Sequence, residues 1–170
     1  TTGTFTQSGG IVNVKTNTDV NGDSDHKFAM DAGTLNLTGG TMNLLGETNN
    51  ATYYSMSVAA GVTTTSTSSH TISISTNDAS GDEDRYIDLG DASNDIGNLT
   101  FDLTGHELYF KSNTDILGNL TATNGDIDVS SYTVNVAGNA AFTNDDLLIS
   151  TGILDVEGTF NSPNNTTFSD

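Results

Sequence analysis

The sequence of 170 residues contains no cysteine, a single proline, and only four lysine and arginine residues against 22 aspartate and glutamate residues. The resulting net charge of -18 makes phosphate backbones and anionic lipid surfaces unfavourable partners, because like charges repel. We therefore predict no nucleic-acid partner and expect cations to be the natural counterparts. Without cysteine there are no disulfides, so an exported protein of this kind must gain its stability from packing or from bound metal.

Long apolar runs and helical patterns are missing too. No run approaches the length of a transmembrane helix, so we predict no membrane insertion. Gly, Ser, Thr, Asn and Asp dominate, and no apolar set recurs at helical spacing over three turns. The apolar residues, 34% of the chain, stand instead in short runs that alternate with polar residues, as in Thr133-Val134-Asn135-Val136. This pattern predicts half-buried β-strands and argues against disorder.

The segment from Ile96 to Pro163 repeats itself about every 20 residues, which is the length of one coil of a solenoid. Gly97-Asn98 returns as Gly118-Asn119, as Gly138-Asn139 and as Gly158-Thr159. Superposing the last two coils places apolar residues together: Ile127 with Leu147, Val129 with Ile149, Val134 with Leu154, Val136 with Val156, and Ala122 with Phe142. We predict stacked coils over residues 96–160, with an inward set (Ile127, Val129, Val134, Val136) and an outward set (Asp126, Asp128, Asn135).

The first half of the chain carries related repeats. Residues 33–44 follow the same design as residues 3–14, with two short strands separated by a pair of glycines. A longer offset matches residues 12–17 to residues 72–77, and Leu37, Met42 and Leu44 to Leu103, Leu108 and Phe110. Residues 53–58 are predicted to form a strand, and residues 63–69 an exposed strand or loop. The fold prediction is an all-β parallel β-helix, or β-solenoid, with coils of about 20 residues. It forms a single domain over residues 1–170 with an irregular tail at 161–170.

Two acidic loops share the spacing D-x-[NS]-G-D-x-D, and each follows a matching strand. Side chains at alternate positions can turn toward one centre, and Ca²⁺ prefers six to eight oxygen ligands. The candidate ligands are Asp19, Asn21, Asp23 and Asp25 in the first loop, and Asp78, Ser80, Asp82 and Asp84 in the second. The first loop resembles the calcium loops of dockerin and EF-hand proteins, but it has Ser24 in place of their turn glycine. The alternative is a pair of solvated acidic turns that bind nothing.

Sequence motifs for catalysis are weak. The three histidines, His26, His70 and His106, have no mutual spacing that indicates a metal site, and we predict that each lies at the surface. Asn113-Thr114-Asp115 and Asp145-Asp146 resemble two acidic motifs of polygalacturonases. The Arg-x-Lys motif of that family is missing, and Gly105-His106 comes earlier in the chain than the family's histidine. We therefore predict that the protein is not an enzyme.

The sequence segments 33–41 and 134–139 resemble the repeat regions of bacterial autotransporter passengers and large β-solenoid adhesins. This resemblance implies a right-handed parallel β-helix at the cell surface or in the extracellular space, where it acts as a stalk, adhesive surface or matrix fibre. No functional residue carries over from such families. The implied partners are neighbouring copies, through end-to-end stacking of strands, or cell-surface and matrix components. Because the chain begins and ends in repeat-like sequence, we expect it to be a portion of a longer product.

We accordingly predict a non-catalytic structural or adhesive segment of a secreted, cell-surface or matrix protein. One alternative is the subunit of a self-assembling extracellular filament, joined by β-strand stacking. The other is a calcium-dependent carbohydrate-binding module or a β-helix enzyme that degrades polysaccharides, which only the acidic loops and the polygalacturonase-like fragments favour.

Overall fold

A computed structural model describes residues 3–15, 28–46, 53–76, 84–91, 94–143 and 147–162. Within these ranges all regular structure is β-strand, and no helix is long and apolar enough to cross a membrane. Sixteen strands follow in chain order: β1 (Gly3–Lys15), β2 (Phe28–Met30), β3 (Gly33–Gly46), β4 (Tyr53–Val58), β5 (Thr63–Ser66), β6 (His70–Thr76), β7 (Arg85–Asp88), β8 (Asp95–Ile96), β9 (Asn98–Phe110), β10 (Thr114–Ile116), β11 (Leu120–Asp128), β12 (Thr133–Val136), β13 (Ala140–Phe142), β14 (Leu147–Leu148), β15 (Ile153–Val156) and β16 (Phe160–Asn161).

The strands form two sheets, and every pair within them is parallel. The larger sheet has twelve strands, with β1-β3-β6-β9-β11-β13-β16 as its main path. The shorter strands β2, β4, β5, β7 and β14 pair alongside this path. The smaller sheet has four strands in the order β8-β10-β12-β15. The all-β, mostly parallel character predicted from the alternating pattern is therefore confirmed.

The spacing between paired strands changes along the chain. In β11 and β13, Leu120 pairs with Ala140, and in β12 and β15 Val134 pairs with Leu154, so the offset is 20 residues in both sheets. At the other end β1 pairs with β3 in the predicted alignment, from Gly3 with Gly33 to Val14 with Leu44, at an offset of 30 residues. A spacing of about 20 residues thus holds for residues 95–161 and is wrong for the first strands.

The predicted inward set is confirmed. Ile127, Val129, Val134 and Val136 are fully buried, whereas Asn135 is exposed and Asp126 and Asp128 are half-buried at the outward positions. Of the predicted partners, the pairs Ile127–Leu147, Val134–Leu154, Val136–Val156 and Ala122–Phe142 stand in register. Val129 and Ile149 lie just beyond the paired residues of their strands. Together with residues from β3 onwards, the inward set forms one hydrophobic cluster.

The predicted match of residues 37–44 to residues 103–110 at the longer offset was wrong in one part. Met42 pairs with Ile72, and Ile72 pairs with Leu99, so Met42 is not equivalent to Leu108. Leu108 pairs instead with Arg85 and Ile127, in a different column of the same sheet. The strand predicted at residues 53–58 is confirmed as β4, and part of the predicted hydroxyl-rich strand is β5. Of the predicted irregular tail, only Asn161 and Ser162 are among the described residues.

Candidate functional site

Asparagine side chains link successive strands at one corner of the stack. Asn98 Oδ1 accepts a hydrogen bond from the backbone N–H of Asn119 at 2.9 Å. Asn119 Oδ1 in turn accepts from the N–H of Asn139 at 2.8 Å, and Asn139 Oδ1 accepts from the N–H of Thr159 at 2.9 Å. The side-chain oxygens therefore satisfy backbone donors where the chain turns between the two sheets. This ladder is the structural reason for the repeated Gly-Asn motif.

The glycine of each motif is required by close packing. A Cβ atom on Gly118 would lie 2.2 Å from Asn98 Oδ1, and one on Gly138 would lie 2.5 Å from Asn119 Oδ1. A Cβ on Gly158 would lie 2.4 Å from the carbonyl oxygen of Gly138. Real Cβ contacts are longer than this, so the asparagine ladder can form only where glycine precedes each asparagine. The corner is thus a site that holds strands together.

The outer face of the four-stranded sheet carries a column of acidic and amide side chains. Asp95 pairs with Asp115, Asp115 with Asn135, and Asn135 with Asp155. Asn135 Nδ2 donates a hydrogen bond to Asp115 Oδ1 at 2.6 Å. An open groove of about 380 Å³ runs along Asp115, Asn135 and Asp155 of this column, and Glu157 also lines it. This groove is named the acidic groove below.

The charges of the acidic groove determine what it can accept. Burial, and secondarily the negative charge of Asp115, raise the pKa of Asp95 above its usual range. Carboxylate oxygens accept hydrogen bonds and attract cations, so the groove suits a cation or a hydroxyl-rich molecule and repels anions.

A stack of three tyrosines lies on the outer face of the large sheet, and sequence reasoning missed it. Tyr54 contacts Tyr86 edge-to-face with ring centroids 5.2 Å apart, and Tyr86 contacts Tyr109 in the same way at 5.3 Å. Lys111 Nζ lies 4.2 Å from the Tyr86 ring centroid, a cation–π distance. The Tyr109 hydroxyl donates to Glu107 Oε2. Burial and this carboxylate raise the pKa of Tyr109 well above its usual value.

The tyrosine stack is a self-contained cluster rather than an open aromatic platform. The lysine already covers two of the rings, and the rings present edges to one another. Such pairs stabilise a sheet by roughly 0.5–1.5 kcal/mol beyond area burial. The signal that could have found the cluster is the register of β4, β7 and β9, which pairs Tyr54 with Tyr86 and Tyr86 with Tyr109.

Of the eight predicted calcium ligands, only one lies among the described residues. That residue is Asp84, whose Oδ1 accepts a hydrogen bond from the backbone N–H of Glu107 at 3.3 Å. The other seven, Asp19, Asn21, Asp23, Asp25, Asp78, Ser80 and Asp82, lie outside the described residues. Within the described ranges, no group of three or more His, Cys, Asp or Glu side chains is arranged to hold a metal ion. Calcium binding by the two loops stays a prediction.

Thermal unfolding tests the calcium prediction. Carboxylates crowded in a loop repel each other in the folded chain, and a bound Ca²⁺ would reverse the sign of that contribution. At about 100 times its Kd, calcium is expected to add roughly 2.7 kcal/mol per site. The unfolding midpoint is measured in EDTA, in millimolar CaCl₂, and in NaCl of matched ionic strength. A midpoint raised no further by CaCl₂ than by NaCl would mean that the loops are solvated turns.

The prediction that every histidine is at the surface was wrong for His70, which is fully buried. His106 is half-buried in β9, and His26 lies outside the described residues. Inward alternation in β6 places His70 on the same side as Ile72 and Ile74. The sequence gives no indication that His70 is buried, because the alternating pattern of β6 begins at His70 itself and the preceding residues are a run of hydroxyl side chains.

Two residues of the polygalacturonase-like motifs, Asp115 and His106, lie on different sheets. Asp115 lies on the four-stranded sheet, whereas His106 lies on β9 of the large sheet. The two residues before Asp115 have structural roles. Asn113 Oδ1 accepts a hydrogen bond from the backbone N–H of Thr133. Thr114 is buried, and its hydroxyl donates a hydrogen bond to the carbonyl oxygen of Ser112. Asp145 and Asp146 lie outside the described residues. No family model, curated protein sequence or solved structure matches this chain.

Proposed function

We propose that the chain is a non-catalytic structural or adhesive segment of a secreted, cell-surface or matrix protein, built as a right-handed parallel β-helix. The observation that supports this most is the strand-to-strand continuity of the stack. The same register runs through Leu99, Leu120, Ala140 and Phe160, and the asparagine ladder accompanies it at the corner. A stack of this kind transmits load along its axis through backbone hydrogen bonds.

The β-helix proposal rests on how the two sheets alternate along the chain. Between β10 and β15 the chain passes from the small sheet to the large one and back within each 20-residue step. Inward residues of both sheets belong to one hydrophobic cluster, as expected if the sheets wrap around a common core. The right-handed sense comes from the resemblance to solenoid adhesins and from the strong preference for right-handed crossovers between parallel strands.

The surface role rests on what the outward positions carry. Around the stack these positions hold Asp, Asn and Thr side chains, including the acidic groove, which leaves a hydrated and negatively charged exterior. Such a surface keeps a long repeat protein soluble and favours contacts with cations or hydroxyl-rich matrix molecules over anionic ones.

A second candidate function, the self-assembling filament subunit, is favoured by the last described strands. Ile153 is 57% exposed and Phe160 is 40% exposed. An apolar cavity of about 210 Å³ is lined by Leu147, Ile149, Leu154, Val156 and Phe160. Exposed apolar side chains beside strand edges are a surface on which another strand can add. The carbohydrate-binding and enzymatic alternative draws only on the acidic groove among the described residues.

Microscopy and a turnover assay together distinguish these functions. We expect negative-stain images of the purified chain to show short rods, and we expect no reducing sugar or unsaturated product from pectin or alginate. Long fibres that shorten when Phe160→Asp is introduced would replace the proposal with the filament function. Turnover that disappears in Asp115→Asn, but persists in Asp102→Asn, an exposed aspartate of β9 outside the groove, would overturn it in favour of an enzyme.

A further inference from the structure

A buried hydrogen bond joins β1 to β6 across the intervening strand β3 of the large sheet. His70 Nε2 lies 3.1 Å from Gln7 Oε1, although the two residues are 63 positions apart in the chain. Gln7 is 4% exposed and His70 is fully buried. The intervening strand contributes Gly40, which pairs with His70 and packs against Gly9 and Gly10. Gln7 therefore reaches across β3 to the imidazole.

The contacts of Gln7 determine which nitrogen of His70 carries the proton. Gln7 Nε2 donates to the carbonyl oxygens of Thr41 at 2.9 Å and of Gly10 at 3.3 Å. Its Oε1 must therefore accept, so His70 Nε2 carries a proton, and in the neutral ring Nδ1 carries none. The other ring nitrogen, His70 Nδ1, is buried and has no hydrogen-bond partner among the described residues.

Protonation of this imidazole is unfavourable in the folded stack. It would place a positive charge in the core and create a buried N–H donor at Nδ1 with nothing to receive it. Burial lowers the pKa of His70 below its usual value. The described residues that bond to His70 or Gln7 at this corner are Thr41, Thr67, Asn98 and Gly10, none of which is titratable.

The first strand is the outermost described strand that covers His70. Among the described residues, β1 is the edge strand of the large sheet and β3 is the one strand that pairs with it. Among the β1 side chains that the structure describes, Gln7 alone is buried. The residue of β3 that pairs with His70 is Gly40. If β1 is released, Gly40 has no side chain with which to cover the imidazole. Release of this edge strand would uncover the side of His70 that Gln7 covers and give a protonated ring access to water.

We propose that His70 is an acid-sensitive latch: at neutral pH its uncharged ring anchors β1 through Gln7, and its protonation releases β1 while the remaining strands stay stacked. The sign follows from linkage. The released state binds a proton below about pH 6.5 and the latched state does not, so anchoring is complete above that pH and weakens as the pH falls. One proton allows the released population to rise by up to about 25-fold between pH 7 and pH 5.

Hydrogen exchange tests the latch in the whole chain. Protection factors, which are corrected for intrinsic exchange, are measured at pH 7 and pH 5 for peptides covering β1 and for peptides covering β11–β13. We expect protection of β1 to fall by roughly 10-fold to 25-fold at pH 5, and protection of β11–β13 to stay unchanged. In His70→Gln, which keeps a donor for Gln7 but cannot titrate in this range, the pH dependence of β1 should vanish. In His106→Gln it should persist.

The outcomes separate the latch from general acid destabilisation. Equal loss of protection in both sets of peptides, or a pH dependence that survives in His70→Gln, would overturn the proposal. NMR titration of the wild-type imidazoles provides a reading that needs no variant. While β1 is protected, the His70 ring should stay neutral at pH values where an exposed histidine is half protonated. A His70 ring that titrates at its ordinary pH with β1 still protected would also overturn the latch.

Discussion

Replacing Val134 with aspartate is expected to unfold the four-stranded sheet and to lower the free energy of unfolding by at least about 3 kcal/mol. Val134 is fully buried in β12, which is an interior strand paired with β10 on one side and β15 on the other. A carboxylate at this position would lose its hydration, and no lysine or arginine lies at the paired positions, Thr114 and Leu154, to compensate. Urea denaturation followed by circular dichroism measures the loss.

The neighbouring position provides the matched control. Asn135→Asp introduces the same carboxylate one residue later, where the side chain is exposed on the acidic groove. It removes the exposed hydrogen bond from Asn135 Nδ2 to Asp115 and adds repulsion from Asp115 and Asp155, which salt screens, so we expect a loss of about 1 kcal/mol, well below that of Val134→Asp. Equal losses for the two variants would mean that inward and outward faces are not distinguished as the alternation in β12 indicates.

The difference between Val134 and Asn135 shows why so much of the second half of the fold could be predicted from the sequence. Alternation assigns faces within one strand, and a constant 20-residue offset places that strand against the next. The column Asp95, Asp115, Asn135 and Asp155 has the same offset and could have been identified as a surface feature. The resemblance of residues 113–115 to a polygalacturonase motif gives no indication of this column.

The first half was harder to predict because its strand spacing is not constant. Tyr86 pairs with Tyr54 on one side and Tyr109 on the other, at unequal separations, so no single period reveals the tyrosine stack. Polar residues also occupy inward positions there, notably His70 and Arg85, each of which is buried. An inward polar residue breaks the apolar pattern from which the face of a strand is predicted, and its compensation depends on residues far away in the chain.

The second large effect is expected for Gly97→Ala, at the corner between β8 and β9. A Cβ atom there would lie 2.2 Å from the carbonyl oxygen of His70 and 2.3 Å from that of Thr67. Both contacts are backbone atoms, so the clash cannot be relieved by rotating a side chain. We expect a loss of about 2–3 kcal/mol and a fall in Tm of roughly 5–10 °C. Differential scanning calorimetry measures the shift.

The loss of stability in Gly97→Ala exceeds that of a steric clash alone, because the displaced carbonyl of His70 already accepts a hydrogen bond. Asn98 Nδ2 donates to the His70 carbonyl oxygen at 3.0 Å and to that of Ser68 at 2.7 Å, so moving this backbone also disturbs the first asparagine of the corner ladder. Gly9→Ala is the matched control, since a Cβ there meets nothing within 4 Å. Alanine also loses less chain entropy on folding than glycine does. We expect Gly9→Ala to be neutral or slightly stabilising. Similar losses in both variants would show that helical or strand propensity, rather than the approach of two backbones at Gly97, determines the effect.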